Sequence, residues 1–197
     1  GSEMCIRDRS EACDFIKDSC KECNRKYECT GENAAFCNHM KNILVAKYGA
    51  AEGCLKESRI RHSMGVANFL FAYAKSHDWS KEETEDLYLT GLLHDIGYID
   101  NPKGTDHGRL GAEILKRNGL NAEICELISC HGRFIENPSR KQALLWLADL
   151  CVNRDGDYIG YQKRYESIKE RYKNDPERLF QVYRILEYLQ IHFSEYR

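Results

Sequence analysis

The sequence contains little proline, no long apolar run and almost no net charge. Its longest apolar stretches, such as Ile43–Ala46, are far shorter than a bilayer requires, and no apolar signal segment opens it. The 29 Lys and Arg residues are balanced by 31 Asp and Glu residues, for a net charge of -2. That balance argues against binding nucleic acid or anionic membranes through bulk charge. We therefore expect a soluble, cytoplasmic protein whose partner is neither a membrane nor a nucleic acid.

Cysteine is the one residue type in excess, with 10 in the chain and six of them before residue 38. Thiolates packed closely in a reducing compartment repel one another unless a soft cation neutralises them, so the pattern favours a metal or cluster over disulfides. The candidate ligands are Cys13, Cys20, Cys23, Cys29 and Cys37.

The first four of these cysteines follow the spacing C-x6-C-x2-C-x5-C. This spacing resembles the [4Fe-4S] loop of a class of DNA glycosylases, although nothing else in the chain resembles their fold. Zinc held by the last four cysteines of the set is the competing prediction. We expect residues 11–54 to form this Cys-rich segment with a connecting helix, and residues 1–10 to be a tag or other non-native lead.

Helical periodicity dominates the rest of the chain, because apolar residues recur at helical intervals between the three prolines. Ser80 with Glu83 has the pattern of a capping box, and Asp175 before Pro176 is a typical helix start. The sequence thus predicts an all-α fold. The predicted helices span residues 33–48, 56–77, 80–96, 106–118, 121–131, 139–153, 161–173 and 176–195.

Six ionisable residues fall on the inward faces of five of these helices. They are His62, His94, Asp95, His107, His131 and Asp149. A single inward His is more often a hydrogen-bonded core residue than a metal ligand. Four imidazoles and two carboxylates together would be costly to bury without a cation, so the set predicts a metal site. Mixed nitrogen and oxygen ligands suit iron, manganese or a similar divalent metal.

The segments around these residues resemble the HD-domain superfamily of metal-dependent phosphohydrolases. His62 lies in Arg-His-Ser-Met-Gly-Val-Ala, His94 and Asp95 lie in Gly-Leu-Leu-His-Asp-Ile-Gly, and Asp149 lies in Leu-Ala-Asp. The resemblance runs from about Arg59 to Val152. The additional histidines, His107 and His131, resemble those of members that hold two metals, among them small bacterial hydrolases of dinucleoside polyphosphates and other nucleotides.

The resemblance implies how the six residues divide between two metals. His62, His94, Asp95 and Asp149 would hold the first, and Asp95 would bridge to a second held by His107 and His131. His94 and Asp95 would then lie at the catalytic centre, and the nucleophile would be metal-bound water that attacks a small phosphorylated substrate, such as a nucleotide. Two alternatives stay open: a mixed-valent di-iron oxygenase of the same superfamily, and a non-catalytic nucleotide or redox sensor.

A phosphate substrate also needs cationic or N–H donors near the metals. The candidates are Arg59, Lys103 and Arg133, and Arg109 and Arg154 are further ones. Tyr98 is a candidate ring that stacks on a base or donates to phosphate. Ordinary surface charge and plain packing are the alternative explanations for each. We expect an HD-domain core over residues 55–155. Tyrosine-rich helices over residues 156–197 would pack on it, and they suggest core packing or a homodimer face.

Overall fold

The structure of the protein is a computed structural model, and it describes residues 57–99 and 106–197. The predicted Cys-rich segment with its five candidate ligands, the helix over residues 33–48 and Lys103 all lie outside the described residues. Within these ranges the all-α prediction is confirmed. Apart from one isolated bridge between Val152 and Tyr158, the regular secondary structure of residues 57–99 and 106–197 is helical.

The described residues form seven α-helices. These are α1 (Glu57–Ser76), α2 (Lys81–Leu93), α3 (His107–Arg117), α4 (Ala122–Cys130), α5 (Arg140–Cys151), α6 (Tyr161–Arg171) and α7 (Pro176–His192). Short 3-10 helices follow at Ile96–Ile99 and Ser194–Tyr196. None of the helices in the described part of the chain is long and apolar enough to cross a membrane.

Helix starts agree closely with the sequence prediction, and capping side chains fix four of them, those of α2, α4, α5 and α7. The Ser80 hydroxyl accepts a hydrogen bond from the Glu83 amide, and the Glu83 carboxylate accepts one from the Ser80 amide, which completes the capping box. The Asp175 carboxylate caps α7 by accepting from the Arg178 amide. The end of α2 differs from the prediction: the helix ends at Leu93, not at residue 96.

The early end of α2 has a steric reason. The chain passes through a turn into the 3-10 helix Ile96–Ile99, and this brings Gly97 against the first turn of α3. A Cβ at Gly97 would lie 1.8 Å from the backbone oxygen of His107 and 2.6 Å from the amide nitrogen of Gly111. Only a glycine permits so close an approach. His94 and Asp95 therefore lie in the turn after α2, and not within the helix.

Helix α5 lies at the centre of the fold. Nine of its twelve residues are buried, and it packs against α1, α2, α4, α6 and α7. A helix that is apolar on nearly all sides is expected in such a position. Trp146 fills part of the core, where its ring packs against Phe134 and Tyr188. This central helix carries Asp149 and holds it at a fixed position among its neighbours.

Candidate metal centre

The fold brings all six predicted ligands into one cluster. His62 lies in α1, His94 and Asp95 lie in the turn after α2, His107 is the first residue of α3, His131 follows the last residue of α4, and Asp149 lies near the end of α5. Five of the six residues thus lie at or near helix ends, where the backbone leaves room for side chains to converge. His62, in the second turn of the long α1, is the exception.

Three of the residues form what we call the first donor group: His62, His94 and Asp149. The His62 Nε2 atom lies 2.9 Å from Asp149 Oδ1, and His94 Nε2 lies 3.9 Å from the same oxygen. The two imidazole rings meet edge to face with centroids 5.3 Å apart. Donor atoms at such spacings could hold one metal ion.

Two further histidines form the second donor group: His107 and His131. Their Nε2 atoms lie only 2.8 Å apart. The carboxylate of Asp95 lies between the two groups. Its Oδ1 is 3.5 Å from His107 Nε2 and 3.4 Å from His131 Nε2, whereas its Oδ2 is 3.5 Å from His94 Nε2. Each oxygen of Asp95 therefore faces a different donor group.

Backbone carbonyls set the orientation of three of the four rings. The Nδ1 atoms of His62, His94 and His131 lie 3.0, 2.7 and 2.7 Å from backbone oxygens. These oxygens belong to Asn153, Gly91 and Ile128 respectively. Because a carbonyl only accepts, each Nδ1 carries the proton and each Nε2 is left to face the carboxylates. Metal-binding histidines are commonly oriented in this way.

Charge within the cluster follows from burial and from the neighbours of each group. Burial lowers the pKa of His94 to about 4 and that of His107 to about 3, so both rings are neutral at pH 7. Burial would raise the pKa of Asp95, but His94, His131 and Arg59 together hold it well below its ordinary value. For Asp149, burial would likewise raise the pKa, but the close contact with His62 and the charges of His94 and His62 together lower it. Both carboxylates are therefore ionised.

The pKa of His131 is shifted in the opposite direction from those of His94 and His107. Burial alone would lower its pKa, but the hydrogen bond and charge of Asp95 raise it. The raised pKa of His131 reflects the attraction of the Asp95 carboxylate for positive charge at this point of the cluster. The same carboxylate would attract a metal cation.

One buried atom tests whether the donor set fits a metal. His94 is fully buried, and its Nε2 makes no hydrogen bond. Because Nδ1 carries the proton of the neutral ring, Nε2 presents a lone pair toward two ionised carboxylates. Buried lone pairs that face one another are unfavourable without a cation between them. The residues present therefore fit a divalent cation, and their nitrogen and oxygen donors suit iron, manganese or a similar metal.

Two of the predicted substrate contacts lie beside the cluster. The Arg59 Nη1 atom donates to Asp95 Oδ2 at 2.6 Å, and the Arg59 guanidinium lies 3.6 Å from the centre of the Tyr98 ring. The same ring stacks on His107 with centroids 4.0 Å apart. Two groups this close to one ring must occupy opposite faces, so neither face is open to a nucleotide base. Burial raises the pKa of Tyr98, so its hydroxyl keeps its proton.

Arg133 is not brought into the cluster. Its side chain is exposed, and Nη2 donates to the backbone oxygen of Ser129 one turn earlier. The residues that sequence reasoning missed are the three carbonyl partners and a buried arginine, Arg164, on α6. The carbonyls leave no trace in residue type. Arg164 does, because it shares a helical face with Tyr161 and Ile168.

Comparison with known proteins agrees with this arrangement. A family model described as the HD domain matches residues 59–183, more than half of the chain. The match takes in α6 and part of α7 in addition to the segments that carry the sequence resemblance. No solved structure matches the chain at a significant level.

Two curated proteins share part of the sequence. Ribonuclease Y of Fervidobacterium nodosum is 35% identical over 92 residues, which cover 42% of this chain and 18% of that protein. An uncharacterised protein of Methanocaldococcus jannaschii is 31% identical over 77 residues, which cover 38% of this chain and 45% of that protein. The chain thus spans less than half the length of either relative.

Proposed function

The chain belongs to the HD-domain family of metal-dependent phosphohydrolases, and from that membership we propose that it hydrolyses a phosphate ester or anhydride of a nucleotide or a similar small molecule. The observation that carries the proposal is the unpartnered Nε2 of His94, which faces two ionised carboxylates among three other imidazoles. A group of this kind has no structural use in a core but is well suited to divalent cations.

The donor groups suggest how two cations would be held. The first donor group with Asp95 would hold one, and the second donor group with Asp95 would hold the other. Iron and manganese are the metals we propose, given the mixture of imidazole and carboxylate donors. Divalent cations in this site would supply Lewis acidity to phosphoryl oxygens and lower the pKa of an attacking water molecule.

The protein's own residues would bind and orient the substrate. The Arg59 guanidinium has five N–H donors, and among the described residues only Asp95 accepts from it. Its side chain is 28% exposed, so its remaining donors can reach a phosphoryl oxygen from solvent. The face of the Tyr98 ring packs against the guanidinium and holds it in place. Burial of His94 and Asp95 keeps bulk water away from these charged groups.

A small substrate is favoured over a nucleic acid. The name of the Fervidobacterium relative indicates a ribonuclease, but the match covers only 18% of that protein. The net charge of this chain is -2, which gives no general attraction for a polyanion. An RNA oligonucleotide nevertheless belongs in the substrate panel, because its cleavage would contradict this choice.

The test uses the full chain loaded with Mn²⁺ or Fe²⁺ and a panel of nucleoside phosphates, dinucleoside polyphosphates and simple phosphate esters. We expect release of phosphate or nucleotide from at least one of them. Asp95→Ala should abolish both turnover and bound metal, because Asp95 faces both donor groups. The matched control is Glu126→Ala, which removes an exposed acid on α4 and should change neither. Turnover by Asp95→Ala would refute the proposed mechanism.

A mixed-valent di-iron oxygenase remains the alternative activity, because the same six donors would serve it. Oxygen consumption that depends on substrate, with an electron paramagnetic resonance signal from coupled iron, would favour that activity over hydrolysis. For Cys13, Cys20, Cys23, Cys29 and Cys37 we propose an iron-sulfur cluster, with zinc as the competitor. Anaerobic purification, elemental analysis and an absorption spectrum distinguish the two.

A further inference from the structure

Arg164 occupies an unusual position for an arginine. It lies in the first turn of α6, on the buried face of the helix between Tyr161 and Ile168, and only 6% of its surface is exposed. The chain fixes this position tightly. Gly160 before the helix has φ +79°, and a Cβ there would lie 2.6 Å from the backbone oxygen of Arg197.

The guanidinium of Arg164 has no partner among the residues that the structure describes. No hydrogen bond or ion pair of its side chain is found within residues 57–99 and 106–197, and its Nε is buried without an acceptor. Buried arginines are normally paired, because removing a cation from water is costly. Burial is accordingly the main reason that the pKa of Arg164 lies below its ordinary value.

Helix packing connects Arg164 to the metal centre, because α6, which carries Arg164, packs against α5, which carries Asp149. The negative charges of Asp149 and Asp95 act to raise the pKa of Arg164, and the positive charges of Arg171 and Arg154 act to lower it. The two carboxylates already face His62 and Arg59 at hydrogen-bond distance. Divalent cations would neutralise them further. The charge at this end of the cluster would then be strongly positive, and only an anion can balance it.

We propose that Arg164, supported by Arg154 and Arg171, binds a terminal phosphate group of the substrate beside the Asp149 end of the metal centre. This inference rests on the proposed function and narrows it to one substrate class, phosphomonoesters or polyphosphates with a free end. A guanidinium that is 6% exposed can be reached only by a group that enters the protein. A terminal phosphate can do so, whereas an internal phosphodiester carries a sugar on both sides. The fork of N–H donors suits phosphate oxygens.

The test measures binding of inorganic phosphate to the Mn²⁺-loaded full chain by calorimetry. Arg164→Gln should weaken binding by about 10- to 100-fold, the range expected for charge-assisted hydrogen bonds. Arg164→Lys keeps the charge but not the fork, so it should fall between that variant and the natural protein. The matched control is Lys163→Gln, which removes an exposed cation from the same helix and should leave phosphate affinity unchanged.

Thermal unfolding without phosphate separates a binding role from a structural one. A binding residue kept buried without a partner costs stability, so Arg164→Gln should unfold at the same temperature as the natural protein or higher. An Arg164→Gln protein with unchanged phosphate affinity would overturn the inference, whatever its unfolding temperature. Arg171 lies at a half-buried position, and Arg171→Gln should weaken phosphate binding by about 3-fold. This variant tests the anion site if Arg164→Gln does not fold.

The two proposals fail in different ways. If phosphate binding depends on Arg164 but no phosphate ester is hydrolysed, the anion site stands and the proposed activity is wrong. If hydrolysis occurs and Arg164→Gln binds phosphate like the natural protein, the activity stands and the role of Arg164 is wrong. Elemental analysis of each variant confirms that the metal content is the same in both comparisons.

Discussion

The two donor groups of the cluster are held in different ways. In the first donor group both rings are oriented by backbone carbonyls, with His62 bound to Asn153 and His94 bound to Gly91. In the second donor group only His131 has such a partner. The Nδ1 of His107 is buried without a hydrogen bond, and its ring is positioned by stacking on Tyr98.

This difference indicates that the first donor group is preorganised and the second is not. A ring held by a carbonyl has a fixed orientation and proton position, so little order is lost when a metal binds. A ring held by stacking can still turn in its own plane. We therefore expect the first donor group to bind its cation more tightly, and the following predictions test that order.

The largest effect is expected where the second donor group depends on a close backbone approach. Gly97→Ala would place a Cβ 1.8 Å from the backbone oxygen of His107, which leaves no room without moving α3. We expect a loss of about 3 kcal/mol or more in the free energy of unfolding, measured with urea.

The control for this substitution is Gly119→Ala. A Cβ at Gly119 meets nothing within 4 Å, although the residue has φ +78°. It should cost only the strain of a left-handed residue, about 1 to 2 kcal/mol. Equal losses in the two variants would show that the contact beside His107 does not position α3.

Removal of one ring from each group tests the difference in affinity directly. His62→Ala should lower the affinity for the tighter cation by about 100-fold or more, because loss of a ligand exceeds the loss of an outer partner. His107→Ala should leave that cation in place and remove only the weaker one. Metal titration followed by elemental analysis gives the counts. Equal losses from both variants would break the proposed order.

The stacking partner of His107 provides a finer test. Tyr98→Ala removes the ring that supports His107 and should weaken the second cation by about 10-fold, at the low end of the range for outer partners. Tyr98→Phe keeps the ring and should leave affinity unchanged. If Tyr98→Phe weakens binding of the second cation more than Tyr98→Ala does, the phenol hydroxyl supports this site and the ring stacking does not.

The smallest effect is expected far from both groups. Ser80→Ala removes the cap of α2 and should lower the free energy of unfolding by about 1 kcal/mol, without altering the ratio of the two cations. The hydrogen bonds from Ser80 lower the pKa of Glu83 from 4.5. The stability from this pair is therefore present above pH 4.5 and is lost as the pH falls through the lowered value. The difference between the two proteins should shrink in acid; a constant difference would contradict this link.

Much of the fold could be predicted because it depends on local pattern. The seven helices from α1 to α7 follow from apolar periodicity and capping residues, which act within a few positions of the chain. The end of α2 could not be predicted in this way. It depends on the contact between Gly97 and α3, and nothing local to the sequence of α2 reveals that contact.

The residues of the candidate site likewise differ in whether local sequence pattern reveals them. His94 and Asp95 could be singled out because an ionisable pair interrupts an apolar stripe, and Arg59 because it precedes His62 by one turn. Arg133 was placed near the site by proximity to His131, but the chain turns after α4 and carries its side chain to the surface. Arg164 could have been found from its place on the apolar face of α6 with Tyr161 and Ile168, but an arginine is ordinarily solvated and its residue type does not suggest burial.

The amino-acid sequence by itself determined which helices form and which donors this protein can offer to a metal, because periodicity, capping and residue type are local properties. Tertiary structure alone decided which nitrogen of each ring faces the carboxylates and which arginine is left without a partner. Those outcomes depend on backbone carbonyls and packed faces that come from distant parts of the chain. Hydrogen bonds form, and side chains are buried, only between groups that the tertiary structure brings close together.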